Sequence, residues 1–292
     1  MICTACPRRC GAQRTENAAS TGFCKMPYNP VLARAALHFW EEPPISGKNG
    51  SGAIFFSGCS LRCVFCQNFE ISRGETGKPV SRARFIEIMQ ELEAKGAHNI
   101  NLVNPTHFTP FLAEALREYK PKIPVVYNSG GYDSVESLRS LRGLVDIYLP
   151  DFKYFDAELA KSCSAAADYP EAARAAILEM RAQVEDVFDA DGIMRSGLLV
   201  RHLVLPKHTE DSKNILRWIR ENLGEKTYLS LMSQYTPCSR TYAQKELNRR
   251  LTTAEYQRVV DEFWTLGFRN GFMQERTAAD TCYIPEFDGT GI

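Results

Sequence analysis

The sequence predicts an α/β fold: a partial (β/α)6 TIM-like barrel preceded by a small cysteine-rich, metal-binding segment. Two observations carry this. After residue 50, short β-branched or apolar runs alternate with helical hydrophobic periods, the pattern of βα units around a parallel sheet, and six such alternations fall short of the number that closes a full barrel. Before residue 25 stand four of the ten cysteines, in a stretch too short and polar to bury a core of its own.

The elements follow in order. Residues 53–57 (Ala-Ile-Phe-Phe-Ser) make the first strand. Phe85, Ile88, Met89 and Leu92 then recur at helical spacing, with Ser81 placed as N-cap and Gly96 as the stop. A second strand covers 101–104, a helix runs over Leu112, Ala115, Leu116 and Tyr119, and a third strand covers 124–128. A short helix over Val135 and Leu138 leads to a fourth strand at 145–149. A longer helix at 169–187 puts Ala173, Ile177, Met180, Val184 and Val187 on one face. The fifth strand (198–205), a helix containing Trp218, the sixth strand (228–232) and a helix through Val259, Val260 and Phe263 complete the pattern. The stretch from His38 to Gly52 reads as a linker, with Phe39 and Trp40 packing the metal module onto the barrel. The expected division is therefore 1–45 for the cysteine-rich segment and linker, and 46–292 for the barrel. A doubly wound sheet fits the same alternation, and in both arrangements ligands sit at the C-terminal ends of the strands.

Composition narrows the function. The chain has 292 residues, 44% hydrophobic and 24% charged, which is ordinary globular material. Thirty-five basic residues balance thirty-five acidic ones, so no summed positive field exists to hold a nucleic acid or an anionic membrane. Cys3, Arg8, Arg9, Arg14 and Glu16 interrupt any early apolar run, and the expectation is a cytoplasmic protein with no membrane span. Cysteines in that compartment point to metal or redox chemistry rather than to disulfides.

Three of them, Cys59, Cys63 and Cys66, fall in one loop directly after the first strand. A structural zinc takes four ligands, usually as two close pairs, whereas a cubane cluster held by three cysteines leaves one iron open to an outside ligand. An amino acid with its α-amine and α-carboxylate can chelate that iron, which places a sulfonium beside an electron source. The competing reading is a zinc-stabilised binding or scaffold protein without radical chemistry; the missing fourth thiol near Cys66 separates the two.

The run Cys-x-x-x-Cys-x-x-Cys, with Phe65 before its last cysteine, resembles the signature of the radical S-adenosylmethionine (SAM) superfamily. The stretches 58–68, 101–107 (Asn-Leu-Val-Asn-Pro-Thr-His), 151–154 (Asp-Phe-Lys-Tyr) and 200–206 (Val-Arg-His-Leu-Val-Leu-Pro) resemble the branch related to pyruvate formate-lyase activating enzyme. The resemblance implies an oxidoreductase in which a 4Fe-4S cluster on Cys59, Cys63 and Cys66 takes one electron and cleaves SAM to a 5'-deoxyadenosyl radical. It implies an electron donor such as flavodoxin or ferredoxin and a protein or small-molecule substrate, a glycine of a glycyl radical enzyme among the options. It places Phe65 near the adenine and the methionyl amine near Asn104 and Thr106, although here Asn104-Pro105-Thr106 replaces the usual two glycines and an acid. Asn128 and Ser129 would meet the ribose, and Lys153, beside Asp151, the methionyl carboxylate. Arg201 is either a further ligand or a structural ion pair, and Asn104, Asn128 and Asp151 fit helix capping as well as ligand binding.

Cys3, Cys6, Cys10 and Cys24 offer four soft ligands for structural zinc or a second, fully ligated cluster, and their spacing does not decide between them. Cys163 and Cys282 read as ordinary thiols, and Cys238, after the sixth strand, as a residue that could face the substrate. The histidines, His107 and His202 included, read as satisfied structural residues.

Overall fold

The structure is a computed structural model that describes residues 1–238, 241, 243–274 and 285–292. All six expected strands are present: β2 (Ser51–Phe56), β4 (Ile100–Val103), β5 (Val125–Ser129), β6 (Ile147–Pro150), β8 (Met194–Leu203) and β9 (Tyr228–Met232). They pair in parallel in that order, and β10 (Gly271–Met273) extends the parallel run beside β9. The other end is antiparallel, where β1 (Val31–His38) pairs with β2 and with β3 (Lys78–Pro79). The short β7 (Val187–Phe188) forms a hairpin with β8. The sheet is thus an open α/β layer ending in β3 and β10, as a barrel short of closure requires.

Strands β2, β5 and β6 are buried along their whole length, because helices cover one face and further structure the other. The main core lies under α3 (Arg82–Ala94), α4 (Thr109–Glu118), α7 (Tyr169–Arg181), α8 (Thr209–Asn222) and α9 (Thr253–Thr265). Ser81 caps α3 as expected, accepting from the Arg84 amide. On the opposite face Val126, Ile147, Leu149 and Leu199 pack with Ile45 of α1 (Pro43–Ser46), whose carbonyl accepts from the buried Asn99 side chain at 2.8 Å. The stretch expected to be a linker therefore inserts into the fold.

Three local features differ from the expectation. β1 is an additional strand that precedes the expected linker and shares only His38 with it: the alanine-rich Val-Leu-Ala-Arg-Ala-Ala-Leu-His carries no clean alternation, and its strand state comes from pairing with β2 and from the chain's last residues. Thr290 accepts from the Ala35 amide at 2.9 Å and Ala33 accepts from Gly289 at 3.1 Å. α7 stops at Arg181 rather than at 187, because Asp186 accepts from Arg181 at 2.8 Å and from the Leu198 amide at 3.0 Å, which turns the chain into the β7–β8 hairpin and leaves Val187 half exposed. An additional helix, α6 (Ala157–Ser164), begins on the Asp156 side-chain cap. Two short helices, α2 (Phe69–Arg73) and α5 (Val135–Ser140), complete the set.

The first thirty residues fold over the loop that follows β2. Arg8 donates to the carbonyls of Ser60 and Ser164 at 2.9 and 2.8 Å, and Ser137 donates to the Ala5 carbonyl at 2.8 Å. No helix among the described residues is long and apolar enough to cross a membrane.

Candidate active site

Past the end of β2 the chain turns sharply into the cysteine loop. Gly58 has φ +78°, and a Cβ there would collide with Met26 and lie 3.0 Å from the Cys24 carbonyl, so the N-terminal segment can pack directly behind the loop. Arg62 adopts φ +52°, an uncommon backbone for a non-glycine residue. The Leu61 amide donates to Cys59 Sγ at 3.3 Å, and the Ser164 hydroxyl to Cys63 Sγ at 3.0 Å. Burial pushes the Cys66 thiol up to about 12, and the neighbouring Cys63 and Cys59 push the same way while Lys153 opposes them. Burial and Cys63 raise Cys59 likewise. The three sulfurs border one cavity of about 280 Å³ at the C-terminal ends of the parallel strands. Three thiols within electrostatic reach of one another on an open cavity fit a cubane with one uncapped iron; among the described residues no three Cys, His, Asp or Glu side chains converge on a single ion.

The opposite wall is a buried charge network. Arg201 on β8 donates to Asp151 at 2.9 Å, to Glu41 at 3.1 Å and to the Asn128 side-chain oxygen at 2.6 Å. Lys153 donates to the other Asp151 oxygen at 2.5 Å. Burial alone would raise the Asp151 carboxyl, but Arg201 and Lys153 hold it below the usual carboxylate range. Burial would lower Lys153, yet Asp151 and Cys63 keep its ammonium charged well above the ordinary value. Asn104, at φ +60° after β4, donates to the Gly58 carbonyl at 2.7 Å and presents its oxygen 3.7 Å from Cys59 Sγ. Phe65 is buried edge-on between Tyr154 and Tyr235, with centroids 6.3 and 5.9 Å away.

Comparison with known proteins decides the family: residues 53–219 match the model of the radical SAM superfamily. This chain belongs to the radical SAM superfamily. It is 30% identical over 279 residues to an uncharacterized protein of Methanocaldococcus jannaschii, covering 89% of this chain and 73% of that protein. Among solved structures, HydG, a maturase of the [FeFe]-hydrogenase, superimposes with a TM-score of 0.51 at 12% identity over 80% of this chain and 54% of that one. Streptococcus suis SuiB bound to its precursor peptide SuiA gives 0.50 at 12% identity over 75% of this chain and 46% of that one. This radical SAM chain spans about half the length of those solved proteins, and the likeness is one of fold. The family's chemistry uses a 4Fe-4S cluster and SAM, which is what the three thiols and the cavity fit.

Against that family, the residues singled out from the sequence divide. Phe65, Asn104, Asn128, Ser129, Asp151, Lys153 and Arg201 all line the cavity with the three cysteines. Thr106 does not; its hydroxyl donates to the buried Asp133 at 2.6 Å, and Tyr127 and Ser129 donate to the same carboxylate at 2.8 and 2.6 Å. Asp133 is thus a hub beneath the cavity, its carboxyl raised by burial against those three donors. Arg201 is consumed by its ion pairs, so its part is to hold Asp151 and Asn128 in place. Cys238 Sγ turns to the Val64 carbonyl at 3.4 Å and does not line the cavity. Cys163 is buried with its thiol pushed up to about 12 by burial, and Cys282 lies outside the described residues. His202 is satisfied by the Phe152 carbonyl and Ser212 at 2.7 and 2.8 Å; His107 donates to the Ser57 carbonyl at 2.7 Å, but its other ring nitrogen has no partner.

Sequence reasoning missed Glu41, Glu42, Gln67, Gln234 and Gln274, which also line the cavity. The signal for the first two was present: two adjacent carboxylates ahead of Pro43-Pro44, polar residues with no solvation reason to cluster before a turn. Glu41 accepts from Asn101 and Asn128 at 3.0 and 3.2 Å, and burial pushes the Glu42 carboxyl up.

Proposed function

We propose that this chain reductively cleaves SAM at a 4Fe-4S cluster held by Cys59, Cys63 and Cys66, and that the resulting 5'-deoxyadenosyl radical abstracts hydrogen from a substrate. The observation that supports it is one cavity with three thiols on one side and the Asp151, Lys153 and Arg201 network on the other. The cluster would supply one electron to the sulfonium, leaving methionine and the radical, which becomes 5'-deoxyadenosine when it takes a substrate hydrogen. Lys153 is the chain's cation for the methionyl carboxylate, and its pairing with Asp151 holds it in one place before ligand arrives. Phe65 is read as the adenine contact and Asn128 and Ser129 as ribose contacts, since all three line the cavity, and Asn104 fixes the cysteine loop to β4.

The electron donor is read as a flavodoxin or ferredoxin, the compartment as the cytoplasm, and the reaction class as an oxidoreductase of the activating-enzyme type. Among the described residues β10 and β3 do not pair with each other, and a glycine of a glycyl radical enzyme, another protein or a small molecule are all substrates to test. The four N-terminal thiols are read as a second metal site, zinc or a cluster.

The test is anaerobic reconstitution with iron and sulfide, reduction with dithionite in the presence of SAM, and chromatography for 5'-deoxyadenosine. Its appearance supports the reading. Zinc in place of iron, with no 5'-deoxyadenosine, would overturn it in favour of a zinc-stabilised scaffold. An electron paramagnetic resonance signal on an added glycyl radical enzyme, absent without SAM, would identify the substrate as protein.

A further inference from the structure

Behind the cysteine loop the N-terminal segment collects four thiols and several guanidiniums, of which Arg9 pairs with Glu136. An isolated bridge pairs Ile2 with Gln13, and the Cys3 amide donates to the Ala12 carbonyl at 3.0 Å, folding the first fourteen residues back on themselves. The Arg9 amide donates to the Cys6 carbonyl at 3.0 Å and the Lys25 amide to the Gly22 carbonyl at 2.9 Å, so a tight turn stands beside Cys6 and another beside Cys24. Cys3, Cys6 and Cys24 are buried. Cys10 is exposed and abuts Gly22, where a Cβ would lie 3.2 Å from its sulfur. The Arg8 amide is directed at the Cys6 sulfur, as the Leu61 and Arg62 amides are at Cys59 in the loop proposed to hold the SAM-cleaving cluster. Cys24, Cys3 and Cys10 all stand within electrostatic reach of the Cys6 sulfur. Thiolates gathered in this way need a cation to hold them together.

The guanidiniums supply the second observation. Arg14 is 5% exposed and donates to Cys24 Sγ at 3.0 Å and to the His107 carbonyl, while its Nε has no partner. Arg62 lies over the Phe23 ring at 5.0 Å, with Nε and one terminal nitrogen buried and unpartnered, and stands within electrostatic reach of both Cys24 and Cys59. Arg8 lies over the same ring at 4.0 Å. Among the described residues none of the three pairs with a carboxylate. Arg14, sealed from water among a carbonyl and a thiol, and the buried nitrogens of half-buried Arg62 carry a desolvation penalty that a nearby anion would offset. Four thiolates on Zn²⁺, or on an oxidised cubane, carry a net negative charge of that kind.

We propose that Cys3, Cys6, Cys10 and Cys24 form a tetrathiolate metal centre whose negative charge is balanced by Arg14 and Arg62, and that Arg62 couples this centre electrostatically to the loop of Cys59. The proposal rests on the second-site reading above and adds to it the counter-ions and the coupling. Among the described residues no three of the sulfurs converge on a single ion, so the metal itself would draw the thiols together, with exposed Cys10 the least constrained of the four. Arg14 and Arg62 act through the sulfurs and are positioning residues.

The test uses the full chain purified anaerobically, with zinc, iron and acid-labile sulfide counted per chain and release followed with a chromogenic chelator. Cys24→Ala should lose one zinc, or the iron and sulfide of one cluster, and which of these is lost names the metal. Arg14→Met and Arg62→Met, checked for wild-type circular dichroism, should release that metal roughly tenfold to a hundredfold faster than wild type, with Arg14→Lys intermediate. Unchanged metal in Cys24→Ala would overturn the second-site reading itself. Loss in Cys24→Ala together with wild-type release rates in Arg62→Met, and in Arg14→Met where it folds, would leave the site standing and overturn the counter-ion proposal. Since Arg62 donates no backbone hydrogen bond among the described residues, its variant keeps the proposal testable if Arg14→Met fails to fold.

Discussion

The two cysteine groups lie back to back across the loop of residues 58–66, and they differ in what surrounds the sulfur. The triplet faces a cavity, receives neutral donors from Leu61 and Ser164, and looks across to a lysine already held by a carboxylate. Three of the N-terminal quartet, Cys3, Cys6 and Cys24, are buried in the protein, with Arg14 against Cys24, and only Cys10 is exposed. One arrangement leaves room for a ligand to complete the site; the other surrounds it with fixed charge. Residue type and spacing suggest metal in both cases, but a cavity borders the triplet whereas fixed positive charge stands beside the quartet.

The sharpest way to break this contrast is to remove one sulfur from the triplet. Cys63→Ala should abolish 5'-deoxyadenosine formation in the reconstituted enzyme while leaving the circular dichroism near wild type, because it removes one sulfur from a loop that belongs to no strand or helix; retained SAM cleavage would mean that the triplet is not the reacting site. Next in size is the charge network. Arg201→Met leaves Asp151 and Glu41 buried with one cation fewer, and should cost about 3–5 kcal/mol in chemical denaturation as well as weaken SAM binding. A loss below about 1 kcal/mol would show that the acids relax into water and that the wall is not rigid.

The smallest effect concerns His202. Burial pushes its imidazole down to about 4, against the opposing pull of the Phe152 carbonyl. A folded-state value below the unfolded one, about 6.5, means that the unfolded chain takes up the proton first as pH falls. Stability from this group is therefore complete above about pH 6.5, declines by at most about 1.4 kcal/mol per pH unit on the way down to about 4, and is level below that. His202→Gln should flatten that part of the pH profile in urea titrations; an unaltered slope would assign it to other groups.

The alternating core was legible because parallel strands buried on both faces leave long apolar runs and because amphipathic helices such as α3 mark their ends, Ser81 being a cap on sight. The cysteine loop and its cavity partners at the strand ends were legible for the same reason: the position of a strand end predicts where its next residues point. β1 was not, since Ala-Arg-Ala-Ala has neither period and takes its state from β2 and the chain's last residues. Thr106 shows a finer limit. Its place after β4 was read correctly, but only the fold reveals that Asp133, twenty-seven residues on, draws its hydroxyl away from the cavity. Glu41 illustrates the reverse, a carboxylate in an apparent linker brought to Arg201 by a contact 160 residues long in sequence.

Asn104 sets a limit on substitution. At φ +60° its backbone favours glycine, asparagine or aspartate, and its side-chain amide is also the tether to Gly58. Glycine would keep the turn and release the tether, aspartate would keep the turn but bring a charge beside Cys59 and lose the amide donor, and any branched residue would forfeit both. Here the side chain serves as a latch as well as a turn, and substitution at position 104 should be tolerated less than at the glutamines of the cavity wall.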